Sequence, residues 1–248
     1  MTSLLRRTAQ FVIVALALTA STTQAADPIR KESVQFRKGA SEATIKGRIK
    51  GDTTIDYRVR AGAGQTLTVA LQGSNPQNYF NVLPPDSADV AMFVGQDGGG
   101  YKGVLPADGD YTVRVYLMRP AARRNESSDY TLTIGVTGKA LAPLAASRDA
   151  LIPGTRFHAS APMTCTPPFA PKPQQCEAFV IRRGLDGTAT VEVRAPGAPT
   201  RRILFVGGVP VASDATEPIT HSREGDLTVV KIGADERYEI RDALVQGG

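Results

Sequence analysis

The chain has 248 residues, 42% of them apolar, and a formal net charge of +5. That surplus is too small for a nucleic-acid surface, and the basic residues are scattered, gathering no further than short pairs such as Arg123–Arg124, Arg182–Arg183 and Arg201–Arg202. With two cysteines in all, eleven positions apart at Cys165 and Cys176, neither a C-x-x-C redox motif nor a thiolate zinc site can be assembled.

The N-terminus has the layout of a secretory signal. Arg6 and Arg7 precede an uninterrupted apolar run, Phe11 to Ala20, and small residues then lead to a cleavage site between Ala26 and Asp27. The apolar run is about half the roughly 20 residues that a spanning helix needs. No cysteine lies near the cleavage point, so neither a permanent membrane anchor nor a lipid anchor is expected. Export to the periplasm or beyond is expected, with residues 1–26 removed. The remaining 222 residues suit two small domains, at roughly 100–200 residues each. Two arginines leave with the signal, so the net charge falls to +3.

From Glu32 to Val136 short alternating runs are separated by turn residues. TIDYRVRA (54–61), TLTVAL (66–71), YTVRVYL (111–117) and YTLTIGV (130–136) place β-branched and aromatic side chains at every second position. GAGQ, PADGD and RRNESSD punctuate them. This period predicts antiparallel strands with one wet face, in a sandwich or a closed barrel. Residues 137–154 are rich in Ala, Leu and Pro without alternation, and read as a linker holding one helical turn. Strands resume at AFVIRR (178–183), TATVEVRA (188–195), RRILFVGG (201–208), DLTVVKI (226–232) and RYEIRDALV (237–245). A second small β-rich domain over 155–248 is predicted.

Cys165 and Cys176 are the two cysteines of an exported chain and are expected to pair. They enclose TPPFAPKPQQ, whose four prolines rule out a regular helix or a central strand.

No catalytic constellation emerges. His158 and His221 lie in loop-like sequence without partners at the spacing of a hydrolase triad or a metal site. Asp108 and Asp110 sit in a D-G-D turn rather than as a carboxyl pair placed for sugar hydrolysis. Gly98–Gly99–Gly100 lacks the strand–helix context and the Lys–Ser/Thr ending of a phosphate loop. No enzyme activity, cofactor or metal is expected. The segment from Pro106 to Arg124 instead carries tyrosines and arginines, the side chains that most often dominate binding energy at interfaces. Tyr111 has two readings, as a contact residue or as a buried corner tyrosine of a sandwich.

At these residues the sequence resembles the bacterial periplasmic inhibitors of g-type lysozyme. The resemblance is carried by NYFNVLPP (78–85), LPADGDYTVRVYLMR (105–119) and ARRNESSDYTLTI (122–134), and spans about residues 32–136. It implies an antiparallel β-sandwich that plugs the glycan-binding cleft of a lysozyme with surface loops. Gly109, Asp110 and Tyr111 fall in the family's S-G-D/N-Y motif, with Asp108 in place of the usual serine. Tyr116, Met118 and Arg119 fall in its Y-L-M-R motif. The resemblance thus implies partner-binding roles for these seven residues: Tyr111 as an apolar wedge, Asp110 as an acceptor, and Arg119 as a cation aimed at cleft carboxylates. The inhibitors known are essentially one domain, and a positive net charge opposes a basic partner. The second domain, in FVIRRGLDGTATVEV, REGDLTVVKIG and ERYEI, is similar to a C-terminal module of exported bacterial proteins that has no established activity. The expected function is therefore binding, to a g-type lysozyme or, alternatively, directly to a cell-wall glycan such as peptidoglycan.

Overall fold

The computed structural model describes residues 29–97 and 99–247, so the secretory signal read at 1–26 lies outside them. Among the described residues the first half holds β1 (Arg30–Ser33), β2 (Glu42–Lys50), β3 (Ile55–Ala61), β4 (Thr66–Gly73) and β5 (Asn78–Leu83). It continues with β6 (Phe93–Val94), β7 (Tyr101–Val104), β8 (Gly109–Leu117), the one-turn helix α1 (Arg119–Arg123) and β9 (Ser127–Thr137). These strands form two sheets, β1-β3-β8-β5-β6 and β2-β9-β4-β7, closing on one core as a sandwich.

The alternation read in the sequence is the alternation of burial. Along β8, Tyr111, Val113, Val115 and Leu117 point into the core, while Thr112, Arg114 and Tyr116 stay partly exposed. Each buried aliphatic or aromatic side chain contributes about 1.5–3 kcal/mol. Leu67 and Val69 of β4 and Leu132 and Ile134 of β9 face them from the other sheet. The Tyr57 and Tyr130 hydroxyls share a buried hydrogen bond of 2.7 Å across the core. One pair departs from the antiparallel expectation, because β1 runs parallel to β3. The intervening β2 lies in the opposite sheet, which supplies the crossover that a parallel pair requires.

The second half forms one eight-stranded antiparallel sheet in the order β14-β13-β12-β11-β10-β17-β16-β15. Its strands are β10 (Ala159–Thr166), β11 (Gln174–Arg182), β12 (Ala189–Arg194), β13 (Arg201–Val206), β14 (Val209–Ser213), β15 (Ile219–Glu224), β16 (Leu227–Ile232) and β17 (Glu236–Arg241). The sheet curls around its own core, which includes Val180, Val191, Ile203, Phe205, Val230 and Ile240. The last predicted strand ends early: residues from Asp242 to Gln246 form the helix α2, which turns Leu244 and Val245 onto that core.

Residues 138–158 contain no strand or helix, and the one turn expected there is closed by Asp149 N–H donating to the Ala145 carbonyl. The segment is tied to both halves. Leu141 N–H donates to Ala63 O at 2.9 Å and Leu144 N–H to Arg182 O at 2.8 Å.

Cys165 and Cys176 form a disulfide, with their Cα atoms 6.0 Å apart on the paired strands β10 and β11. Thiol labelling of the unreduced, denatured protein is expected to find no free cysteine. Reduction should cost about 2–3 kcal/mol of stability in a denaturant titration. Two labelled thiols in the unreduced protein would show that the bridge does not form.

Candidate functional site

The residues singled out by sequence fall at opposite ends of β8. The strand has nine residues, so its ends are roughly 27 Å apart at about 3.3 Å per residue. One end carries Asp108 to Tyr111, the other Tyr116 to Arg119.

At the first end the chain turns into β8 against the second half of the molecule. Tyr111 is fully buried and its hydroxyl donates to the Ala107 carbonyl at 2.8 Å. Burial holds its hydroxyl protonated well above the usual tyrosine range. Of its two readings the structure takes the corner tyrosine. The wedge role is corrected, because no part of the ring reaches solvent. Gly109 is buried as well, and a Cβ there would lie 2.5 Å from the Pro85 ring. Asp108 accepts from Ala63 N–H at 2.9 Å and from the Arg183 guanidinium at 2.9 Å. Arg183 has no exposed side-chain surface, and burial lowers its pKa. Its Nε–H donates to Thr190, whose hydroxyl donates to Pro106 O at 2.7 Å. Asp110 is the fully exposed residue of this turn, in an exposed 3.3 Å pair with Arg60 that contributes little.

The other end is open. Tyr116 points outward from β8 and donates to Asn81 Oδ1 at 3.2 Å. Beside it Arg114 makes a two-pronged pair with the buried Asp56, at 2.7 and 2.9 Å, and this carboxylate holds its pKa above the ordinary value. Met118 is half-buried and anchors the chain by donating its N–H to Gln77 O. Proline at position 120 then starts α1, as its fixed φ and missing N–H suit a first helical turn. Arg119 is thereby carried onto the surface. Among the described residues neither Arg119 nor Arg123 makes an ion pair. An open depression of about 370 Å³ lies here, lined by the Asp52–Thr54 turn, Asn81, Arg114, Tyr116 and Arg119.

The two histidines lie apart from both ends of β8 in sequence and are placed differently. His158 is buried, accepting from Arg182 N–H at 3.0 Å and bonded through Nε2 to Leu144 O, while His221 lies exposed on β15. No group of three or more metal-ligating side chains is found among the described residues.

Comparison with known proteins relates part of the chain to a family. No protein-family model matches the chain. A curated relative, the inhibitor of g-type lysozyme of Escherichia coli (strain K12), is 33% identical over 125 residues, which is 50% of this chain and 92% of the relative. The chain belongs to the family of g-type lysozyme inhibitors. Solved structures of periplasmic g-type lysozyme inhibitors also match. That of Aeromonas hydrophila is 38% identical, covering 44% of this chain and 97% of its own, with a TM-score of 0.42. A mutant of the Escherichia coli inhibitor is 31% identical over 44% of this chain and 100% of its own, with a TM-score of 0.36. The Salmonella Typhimurium inhibitor is 29% identical, with coverages of 44% and 98% and a TM-score of 0.35.

In the motif by which this chain resembles its family, Asp108 stands in place of the usual serine. The structure gives the substitution a physical reason. A buried guanidinium from the second half needs a counter-charge, and the carboxylate of Asp108 supplies it. Arg183 and Thr190, which clamp this turn, carried no signal in the sequence beyond polar side chains inside apolar runs.

Proposed function

We propose that this protein is a periplasmic inhibitor of g-type lysozyme that binds through the Tyr116–Arg119 end of its sandwich and catalyses no reaction. Membership of the inhibitor family supports the activity. The observation that supports this end is Arg119, a surface guanidinium that makes no ion pair among the described residues and lies beside an open depression. A guanidinium forks onto carboxylates with two parallel hydrogen bonds, and the cleft of a glycan-cleaving enzyme supplies them. Occlusion then follows from bulk: the sandwich fills the glycan path while Arg119 fixes its register. The Asp108–Tyr111 turn takes no direct part, being committed to packing.

The test is an inhibition series with g-type lysozyme acting on a peptidoglycan suspension. Arg119→Ala is expected to weaken inhibition about thirtyfold, or about 2 kcal/mol, with an unchanged melting temperature. Asp110→Ala, at the far end of β8, should stay within about twofold of the parent. An Asp110 effect equal to that of Arg119 would move the contact to the other end. Full inhibition by Arg119→Ala would refute the mechanism.

A further inference from the structure

The disulfide-closed loop between β10 and β11 has no role in the inhibitor reading, and it is built in an unusual way. At its tip Phe169 is 99% exposed, the most exposed large apolar side chain among the described residues. It also has φ 64°, a left-handed conformation that bulky residues rarely adopt. Ala170 N–H donates to Pro167 O at 3.1 Å, so Pro167 to Ala170 form a tight turn with Pro168 and Phe169 at its centre. The third position of such a turn, when left-handed, normally takes glycine or asparagine. Here a phenylalanine holds the strained position and gains no burial for it. Neither folding nor solubility accounts for that choice, whereas strain held in place by its surroundings is a mark of a working surface.

The surroundings do hold it. The disulfide clamps the base of the loop, and Pro167, Pro168, Pro171 and Pro173 restrict its backbone. A ring on such a support loses little freedom on binding. The loop lies at the far end of β11 from Arg182, roughly 27 Å along a nine-residue strand, so the sandwich does not cover it.

Its chemistry narrows the partner. Between Thr166 and Cys176 there is no acid, and the same disulfide-closed segment carries the exposed Lys172 in the loop and the exposed Gln175 early in β11. One ring and one cation are less than the single acyl chain that holds a protein only marginally to a bilayer, so a lipid surface does not fit. An open aromatic face does suit the C–H face of a sugar ring, with an amide for its hydroxyls and a cation for nearby carboxylates. We propose that the Phe169 loop is a second binding site, for the carboxylate-bearing glycan of the cell wall. It would hold the protein on the polymer while the Tyr116–Arg119 end stays free.

The experiment is co-sedimentation of the full mature protein with purified peptidoglycan sacculi, with anionic phospholipid vesicles alongside. The parent is expected to pellet with sacculi and not with vesicles. Phe169→Ala should lose at least tenfold in sacculus binding while inhibiting lysozyme as before, and Phe169→Trp should retain binding. Phe169→Gly provides a check on folding: relief of the left-handed strain should raise the melting temperature by a few degrees as binding is lost. The proposal is overturned if Phe169→Ala pellets like the parent, if the parent pellets only with vesicles, or if it pellets with neither. Lost lysozyme inhibition in Arg119→Ala leaves this result untouched, so the two readings fail separately.

Discussion

Tyr111→Ala is expected to cost about 3–5 kcal/mol, the range for truncating a buried aromatic side chain. The ring is fully buried on the central strand of its sheet, opposite Val59 of β3, and belongs to the sandwich core. Removing it leaves a cavity that the flanking β-branched residues cannot collapse to fill. Tyr111→Phe separates the two parts of the loss. It keeps the ring and deletes the 2.8 Å bond to Ala107 O, leaving a buried carbonyl without that donor, at about 1–2 kcal/mol. Urea titration measures both, and the folded Tyr111→Phe protein should inhibit lysozyme like its parent. A variant that keeps its stability and loses inhibition would restore the contact role to this tyrosine.

The separation of the two motifs was open to arithmetic before any coordinates. Asp110 and Arg119 flank an alternating run of seven residues, and an extended run of that length keeps its ends more than 20 Å apart. What the sequence could not reveal is which end is covered, because that depends on the other half of the molecule. The arginine pairs illustrate why. Arg201 and Arg202 read as a short basic pair at the start of a predicted strand, yet both are buried on β13. Arg201 pairs with Glu236 at 2.8 Å and with Asp214 at 3.3 Å, and Arg202 pairs with Asp214 at 3.2 Å. These two carboxylates lie 12 to 35 positions away, out of reach of any local pattern.

Strands without alternation were equally silent. β15 is exposed along nearly its whole length at the sheet edge, so its ITHSRE sequence has no inner and outer set. β10 and β14 each contain a proline, Pro162 and Pro210, which argues against strand until the pairing is known. The long alternating runs at β3, β4, β8 and β9 were legible because each has one face on the core. The tip of the disulfide loop was half legible: its prolines and cysteines were plain, while the left-handed, exposed phenylalanine was not.

Asp108→Ala is the second change expected to carry a large cost, at about 3 kcal/mol or more. Arg183 has no exposed side-chain surface, and its charge is balanced at 2.9 Å by Asp108. Deleting one partner of such a pair strands the other, which costs about 3–5 kcal/mol when both are fully buried. Asp108 is about a third exposed, so water entering the gap places the loss toward the lower bound. Asp108→Ser, which recreates the common family motif, can still accept from Ala63 N–H but brings no charge, so it should fall between the parent and the alanine variant. Pairing Asp108→Ser with Arg183→Met removes both charges and should regain most of the loss, since a well-packed apolar side chain replaces a buried pair at little cost. A chain ending near Lys139 provides the sharper comparison. We propose that residues 27–136 fold on their own, and without Arg183 the alanine substitution should then be nearly silent. Denaturant titration of the four full-length proteins, and of the parent, Asp108→Ala and Asp108→Ser chains lacking residues 140–248, reads all of this. Equal destabilisation by Asp108→Ala in the long and short chains would mean that the aspartate acts inside the sandwich, through Ala63, and not as the counter-charge of the second half.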